Sequence, residues 1–247
     1  MIDFTSTQIL LAAVVVLMAC AVRGMSGFGA GLVAIPLLVF VVPIYTAVPL
    51  MALLIFLLFV FLTIRDRNKV HWREFRSLAI PTVVGVVAGL LLFKTLESRL
   101  LLALLGLFLI VYATYLLVVP LFRLPQLRCS EQWALPAGFA GAFIDTLFGG
   151  GGGTLVVIYV HARGIDKMAF RATVAAVWFV EMIARITGYA LAGYYTRDVL
   201  LLVALMVPLV WLGTWLGERI GDRIDQDTFS RVLAMMLMLS GISQLLK

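Results

Sequence analysis

Charge is scarce in this chain. Of its 247 residues only 13% are charged, against 63% apolar, where a soluble domain carries roughly 25% and 45–50%. Mean hydropathy is +1.11. Such a composition excludes disordered tails, collagen-like repeats and small secreted disulfide scaffolds. Cysteine is nearly absent: Cys20 stands in an apolar segment and Cys129 in a loop, so no disulfide framework or metal-ligand spacing exists. Histidine is equally rare, with His71 and His161 at the ends of apolar segments and no HxxH or HExxH pattern. No GxGxxG follows a strand and no GK[ST] follows a glycine run, so nucleotide chemistry has no support. The stretch Leu17-Met18-Ala19-Cys20 resembles a lipoprotein cleavage box, but Asp3 is the only charge before Arg23, and the positive leader region is missing.

Long apolar runs separated by short basic loops are what is present. They predict an all-α, polytopic helical membrane protein, and the net charge of +6 is read as membrane orientation, not nucleic-acid binding. Six segments read as plain spans: Ala47–Ile64, Ser77–Phe93, Leu100–Val119, Ala172–Leu191, Val199–Gly217 and Phe229–Leu246. Each is close to the roughly 20 residues that a hydrocarbon core requires. Thr7–Val42 and Trp133–His161 differ. The first is interrupted by Arg23–Gly31 and the second by Gly149–Gly153. Glycine is a poor helix former, so each is expected to be two arms of about 15 residues joined by unwound backbone, too short to cross.

Charge bias chooses between crossing and returning. If both broken stretches cross, Arg and Lys divide almost evenly between the two sides. If both are re-entrant, Arg163, Lys167, Arg171, Arg219, Arg223 and Arg231 join Arg65–Arg76 on one side and give a strong cytoplasmic excess. Re-entrant hairpins are therefore preferred. Each half becomes a hairpin followed by three spans: residues 1–119 (hairpin 7–42) and residues 133–247 (hairpin 133–161), with 120–132 as the connecting loop. Entering from opposite sides, the halves form an inverted repeat whose breaks meet near the midplane, since unwound backbone at membrane depth must be buried or line a cavity.

A glycine cluster opening an apolar half-helix exposes backbone N–H groups at a positive dipole end, which can bind an anion without a charged side chain. The alternative is close helix packing, which suits Gly85 and Gly89 but does not call for five consecutive glycines. Gly27, Gly29, Gly31 and Gly149, Gly150, Gly151, Gly152 and Gly153 are therefore candidate binding positions, with Thr154 as a half-helix cap or anion donor.

Further motifs are Gly24 with Gly27, Gly29, Gly31 and Pro36-Leu37-Leu38, Gly141 with Gly149–Gly153, and Phe170-Arg171-Ala172-Thr173 followed by Gly188-Tyr189 and Gly193. In these residues the sequence resembles the sulfite exporter TauE/SafE family of small membrane permeases. The resemblance covers nearly the whole chain. It implies movement of sulfite, an organosulfonate or another small anion, outward across a cell (inner) membrane. Thr154, Arg23 and the Glu181/Arg185 pair depart from the family's pattern and bear on which anion is carried.

Charges inside apolar segments are the remaining signal, since one at a helix centre costs about 2.5–3.5 kcal/mol on insertion scales. Glu181 precedes Arg185 by one helical turn, the favourable order for an ion pair. The pair either neutralises itself for insertion or presents the guanidinium, whose planar fork suits paired oxyanion oxygens. Arg23 offers a second cation or snorkels to water. Asp145 either couples protons or caps an unwound amide. Arg171 is a binding residue or an orientation charge. Trp72, Trp133, Tyr194 and Tyr195 read as interfacial belts, and Met235, Met236 and Met238 as packing or lipid-facing residues.

The expected function is a secondary transporter of a small sulfur-containing anion, bound at the midplane between the two breaks with alternating access. A passive anion channel is the alternative. An intramembrane enzyme has no nucleophile–base pair or metal set to support it, and no cofactor is expected. The bilayer, the anion and protons as coupling ion are the expected partners, with a homo-oligomer left open. A purely structural subunit would show no flux.

Overall fold

The computed structural model describes residues 5–26, 29–118, 129–221 and 226–246, apart from the side chains of residues 26, 58–59, 61–67 and 226–230. Every regular element among the described residues is helical. The α-helices are α1 (Ser6–Ser26), α2 (Ala30–Leu38), α3 (Ile44–Asp66), α4 (Trp72–Thr95), α5 (Ser98–Val118), α6 (Ala134–Phe148), α7 (Gly153–Ala162), α8 (Lys167–Leu191), α9 (Arg197–Gly221) and α10 (Gln226–Leu245). Short 3-10 turns at Arg67–Lys69 and Glu131–Trp133 lead into α4 and α6. The order runs twice through one succession, two arms and then three helices. Most of the expected linker (residues 120–128), the last residue of the expected third span (Val119) and Gly27 lie outside the described residues.

Among the described residues α1, α4, α5, α8 and α9 are each long and apolar enough to cross a membrane. This corrects the expectation for the first arm. Rather than about 15 residues, α1 has 21 and rises about 31 Å, a full hydrocarbon thickness. The helix does not break at Arg23. Gly24 stays helical because it lies against α9, where a Cβ would sit 2.3 Å from the Thr214 carbonyl oxygen. The helices that flank the second break are shorter: α6 has 15 residues and α7 has 10, about 22 and 15 Å.

The helices pack as two compact units, each drawing on both halves of the sequence. The first contains α1, α2, the start of α3, α5, α9 and α10. Its main contacts are α1 on α9 and α5 on α10. Gly213, Gly217 and Gly221 form a stripe at intervals of four along α9, and a Cβ on Gly217 would lie 2.0 Å from the Ala21 carbonyl oxygen. Close backbone approach of this kind replaces the hydrophobic effect as a source of helix association inside a bilayer. Half-helix α2 is almost wholly buried, and its end is satisfied by Gln244 Nε2, which donates to the Pro36 carbonyl at 3.4 Å.

The second unit contains the rest of α3 with α4, α6, α7 and α8. Its largest contact sets α6 on α4, followed by α8 on α4 and α7 on α6. Gly85 and Gly89 of α4 take the role that Gly213 and Gly217 have in the other unit: a Cβ on Gly85 would lie 2.3 Å from the Phe139 carbonyl oxygen. Buried Glu74, in the first turn of α4, ties the far end of the hairpin down. Tyr159 Oη donates to Glu74 Oε2 at 2.5 Å and Arg163 Nε to Glu74 Oε1 at 2.8 Å. Asp166 caps α8 by accepting from the Met168 and Ala169 N–H groups. Large apolar side chains such as Leu91 of α4 and Leu200 of α9 face outward, the distribution of a chain whose solvent is lipid.

Candidate functional site

The chemistry gathers in the second unit, where α6 ends, α7 begins and α8 passes both. The break is built on backbone geometry that glycine alone adopts readily. Gly149 and Gly151 have φ of 75° and 98°, values that cost an L-residue about 1–2 kcal/mol. Gly152 is needed for another reason: a Cβ there would lie 2.0 Å from the Gly141 carbonyl oxygen, where α6 and α7 nearly touch. Gly153, the first residue of α7, lies against the Trp178 indole of α8. Backbone demands thus account for Gly149, Gly151, Gly152 and Gly153, while Gly150 does not take a positive φ. Thr154 lies in the first turn of α7, past the cap position, which Gly152 holds.

Asp145 spans the break. Its carboxylate Oδ1 accepts the Gly152 N–H at 2.8 Å, while its own carbonyl accepts from Gly149 N–H at 2.8 Å. The buried acid therefore caps an unwound amide, one of the two roles the sequence allows it. The next carbonyl, that of Thr146, would be an orphan at the end of α6. It accepts instead from the Tyr189 hydroxyl of α8 at 2.5 Å.

One turn before Tyr189 lies Arg185, 1% exposed, and one turn before that Glu181, also 1% exposed. Arg185 Nη1 donates to Glu181 Oε1 at 3.4 Å, a long bond for a charged pair. The guanidinium's Nε and Nη2 are buried and make no hydrogen bond of ordinary geometry among the described residues, although the Tyr189 side chain of the next turn interacts with the guanidinium. These two nitrogens share one edge of the plane, the edge that grips paired oxygens side-on. An unpartnered buried donor is expensive, on the order of 1–3 kcal/mol and more for a charged group. Asp145 acts electrostatically on both Glu181 and Arg185, so one cation and two carboxylates share the site.

The other expected residues lie elsewhere. Arg171 is exposed near the start of α8, about 21 Å along the axis from Arg185. Arg23 is buried in the last turn of α1, in the first unit, within electrostatic reach of Glu218 of α9. Gly29 is the left-handed N-cap of α2, with φ of 89°, and Gly31 is buried in that helix's first turn. Residue types alone gave no sign of Tyr189 or Thr146, nor of the Glu74–Tyr159–Arg163 clamp. Among the described residues no cluster of three His, Cys, Asp or Glu side chains is arranged to hold a metal.

Five helices long and apolar enough to cross a membrane, among described elements that are all helical, define an integral membrane protein. More particularly, the sequence model of the family described as Sulfite exporter TauE/SafE matches residues 11–243. The chain belongs to that family and is an integral membrane transporter of the sulfite-type anion class. No curated protein and no solved structure matches it.

Proposed function

We propose that this transporter carries sulfite or an organosulfonate as a secondary transporter, moving it outward with access alternating between the two sides of the membrane. The anion sits on the open edge of Arg185, beside the amide end of α7. The observation that supports this reading is the orphaned Nε/Nη2 edge of a guanidinium that is otherwise fully buried. Two oxygens of a sulfonate or sulfite head accept from that edge side-on. The N-terminal end of α7 adds the partial positive charge of its aligned peptides. Asp145, by fixing the Gly152 N–H, holds that end in place relative to α8. Rocking of the halves is the transport step.

The test keeps the charge and removes the fork. Purified protein in liposomes is assayed for uptake of sulfite, thiosulfate, sulfate, sulfoacetate and taurine, wild type against Arg185→Lys. A lysine is a point charge without a bidentate edge, so flux of the carried anion is expected to fall at least ~10-fold, the size of about 1.4 kcal/mol. Wild-type flux in Arg185→Lys would overturn the assignment. Ohmic current in place of saturable flux driven uphill by an ion gradient would replace the transporter with the channel.

A further inference from the structure

We propose that the Arg185 cradle accepts a singly charged oxyanion only together with one proton, and that Glu181 is the group that holds it. This rests on the reading of Arg185 as the anion's anchor. Arg185 contributes one positive charge, Asp145 and Glu181 one negative charge each when ionised, and all three are buried. Around Glu181 the groups that act electrostatically are Asp145 of α6 and Arg185 of α8. Tyr189 acts on Arg185 from the next turn. The other elements packed on α8 add no charge there among the described residues: Arg73, Glu74, Arg76 and Lys94 of α4, Lys69 of the turn before it and His161 of α7 stand at or near helix ends.

The two carboxylates are not equivalent. Asp145 is engaged by the Gly152 N–H at 2.8 Å, a bond that holds the break together. Glu181 has one long contact, 3.4 Å, and that contact is to the guanidinium the anion itself would use. An arriving anion takes over the positive charge that compensates Glu181. Leaving Glu181 ionised would then strand a buried, unpaired carboxylate, the costliest arrangement available. A proton on Glu181 removes it: the carboxyl becomes neutral, and its O–H becomes a donor that an anion oxygen can accept. With that proton the site holds Arg185, Asp145 and a monoanion, one uncompensated charge fewer than without it. A dianion such as sulfate would restore the excess, so the cradle selects against it.

Binding to the purified full-length chain in detergent decides this, with methanesulfonate as a probe that stays a monoanion throughout. Affinity is measured across roughly pH 5–9, the range in which buried carboxylates are documented to titrate. The expected wild-type profile is level at the acid end and weakens about 10-fold per pH unit beyond it, the slope of one linked proton. In Glu181→Gln the slope disappears while binding persists; in Asp145→Asn the slope remains, which keeps the assignment testable should the Gln variant fail to fold. Sulfate is expected to bind at least ~100-fold more weakly than methanesulfonate. A pH-independent wild type, a slope that survives in Glu181→Gln, or equal binding of sulfate overturns the inference while the anion site stands. No methanesulfonate binding by the wild type at any pH, or binding unchanged in Arg185→Lys, overturns the anion site itself.

Discussion

The two glycine breaks share a glycine spacing and differ in the charge that precedes it. Arg23 stands four residues before Gly27 and Asp145 four residues before Gly149, and glycines recur at 27, 29 and 31 as at 149, 151 and 153. Gly29 and Gly151 both take left-handed φ, 89° and 98°. Each arm also packs on a helix of the other half through a four-spaced glycine pair, α1 on Gly213/Gly217 and α6 on Gly85/Gly89. Yet the first arm ends in a cation and the second in a carboxylate. The helices that follow differ further: α8 buries Glu181, Arg185 and Tyr189, whereas the apolar run of α3 has no charge before Arg65. The two breaks thus have in common a glycine pattern and one left-handed glycine each, Gly29 and Gly151, while the buried ion pair lies beside the second alone among the described residues.

The largest effect expected from breaking this asymmetry comes from the buried pair. Removing only the cation, as in Arg185→Leu, leaves Glu181 unpaired in an apolar interior and should destabilise the protein by about 3–5 kcal/mol. The double variant Glu181→Leu/Arg185→Leu makes α8 resemble α3 and should recover most of that loss, because an apolar pair of similar volume needs no desolvation. Denaturant titration in detergent measures both, and flux is read alongside. Stability restored with flux still absent would show that the pair serves transport; restored flux in the double variant would reduce it to an insertion helper.

A smaller effect is expected at the glycine stripes, where the two units should respond alike. A methyl group at Gly217 meets the Ala21 carbonyl at 2.0 Å and one at Gly85 meets the Phe139 carbonyl at 2.3 Å, both backbone atoms that cannot swing away. Gly217→Ala and Gly85→Ala should each cost about 3 kcal/mol, the upper end of ordinary overpacking. Thermal melting checks this. If one variant is silent, the shared packing device operates in one unit only.

How much of this was legible in sequence follows from the range over which each signal acts. The spans are written in local hydropathy, and the Glu181/Arg185 pair in a single helical turn, so both could be read directly. The end of α1 could not. Gly24 looks like a breaker, and only its contact with α9, nearly 200 residues away, shows why it remains helical. Asp145 was visible as a charge in an apolar arm, but the amide it accepts from could be named only once Gly152 was seen folded back onto it. Tyr189 was invisible as a site residue because its partner, the Thr146 carbonyl, belongs to backbone that only the break leaves unsatisfied. Glu74 carries no signal in the sequence, since its partners Tyr159 and Arg163 lie 85 and 89 residues further along.

The smallest effect sharpens the likeness of the two breaks. A Cβ at Gly29 meets nothing within 4 Å, so Gly29→Ala tests the positive φ without a clash and should cost about 1–2 kcal/mol. Gly151→Ala faces the same backbone demand at φ of 98°. If both breaks are only scaffolds, the two variants should lose stability equally and leave anion affinity unchanged in whatever fraction still folds. Under the assignment made above the outcomes diverge. Relaxing Gly151 shifts the Gly152 N–H that Asp145 holds, and with it the start of α7 beside Arg185. Methanesulfonate affinity should then fall several-fold in Gly151→Ala and stay at the wild-type level in Gly29→Ala. Equal affinities in the two variants would return the second break to a purely structural role.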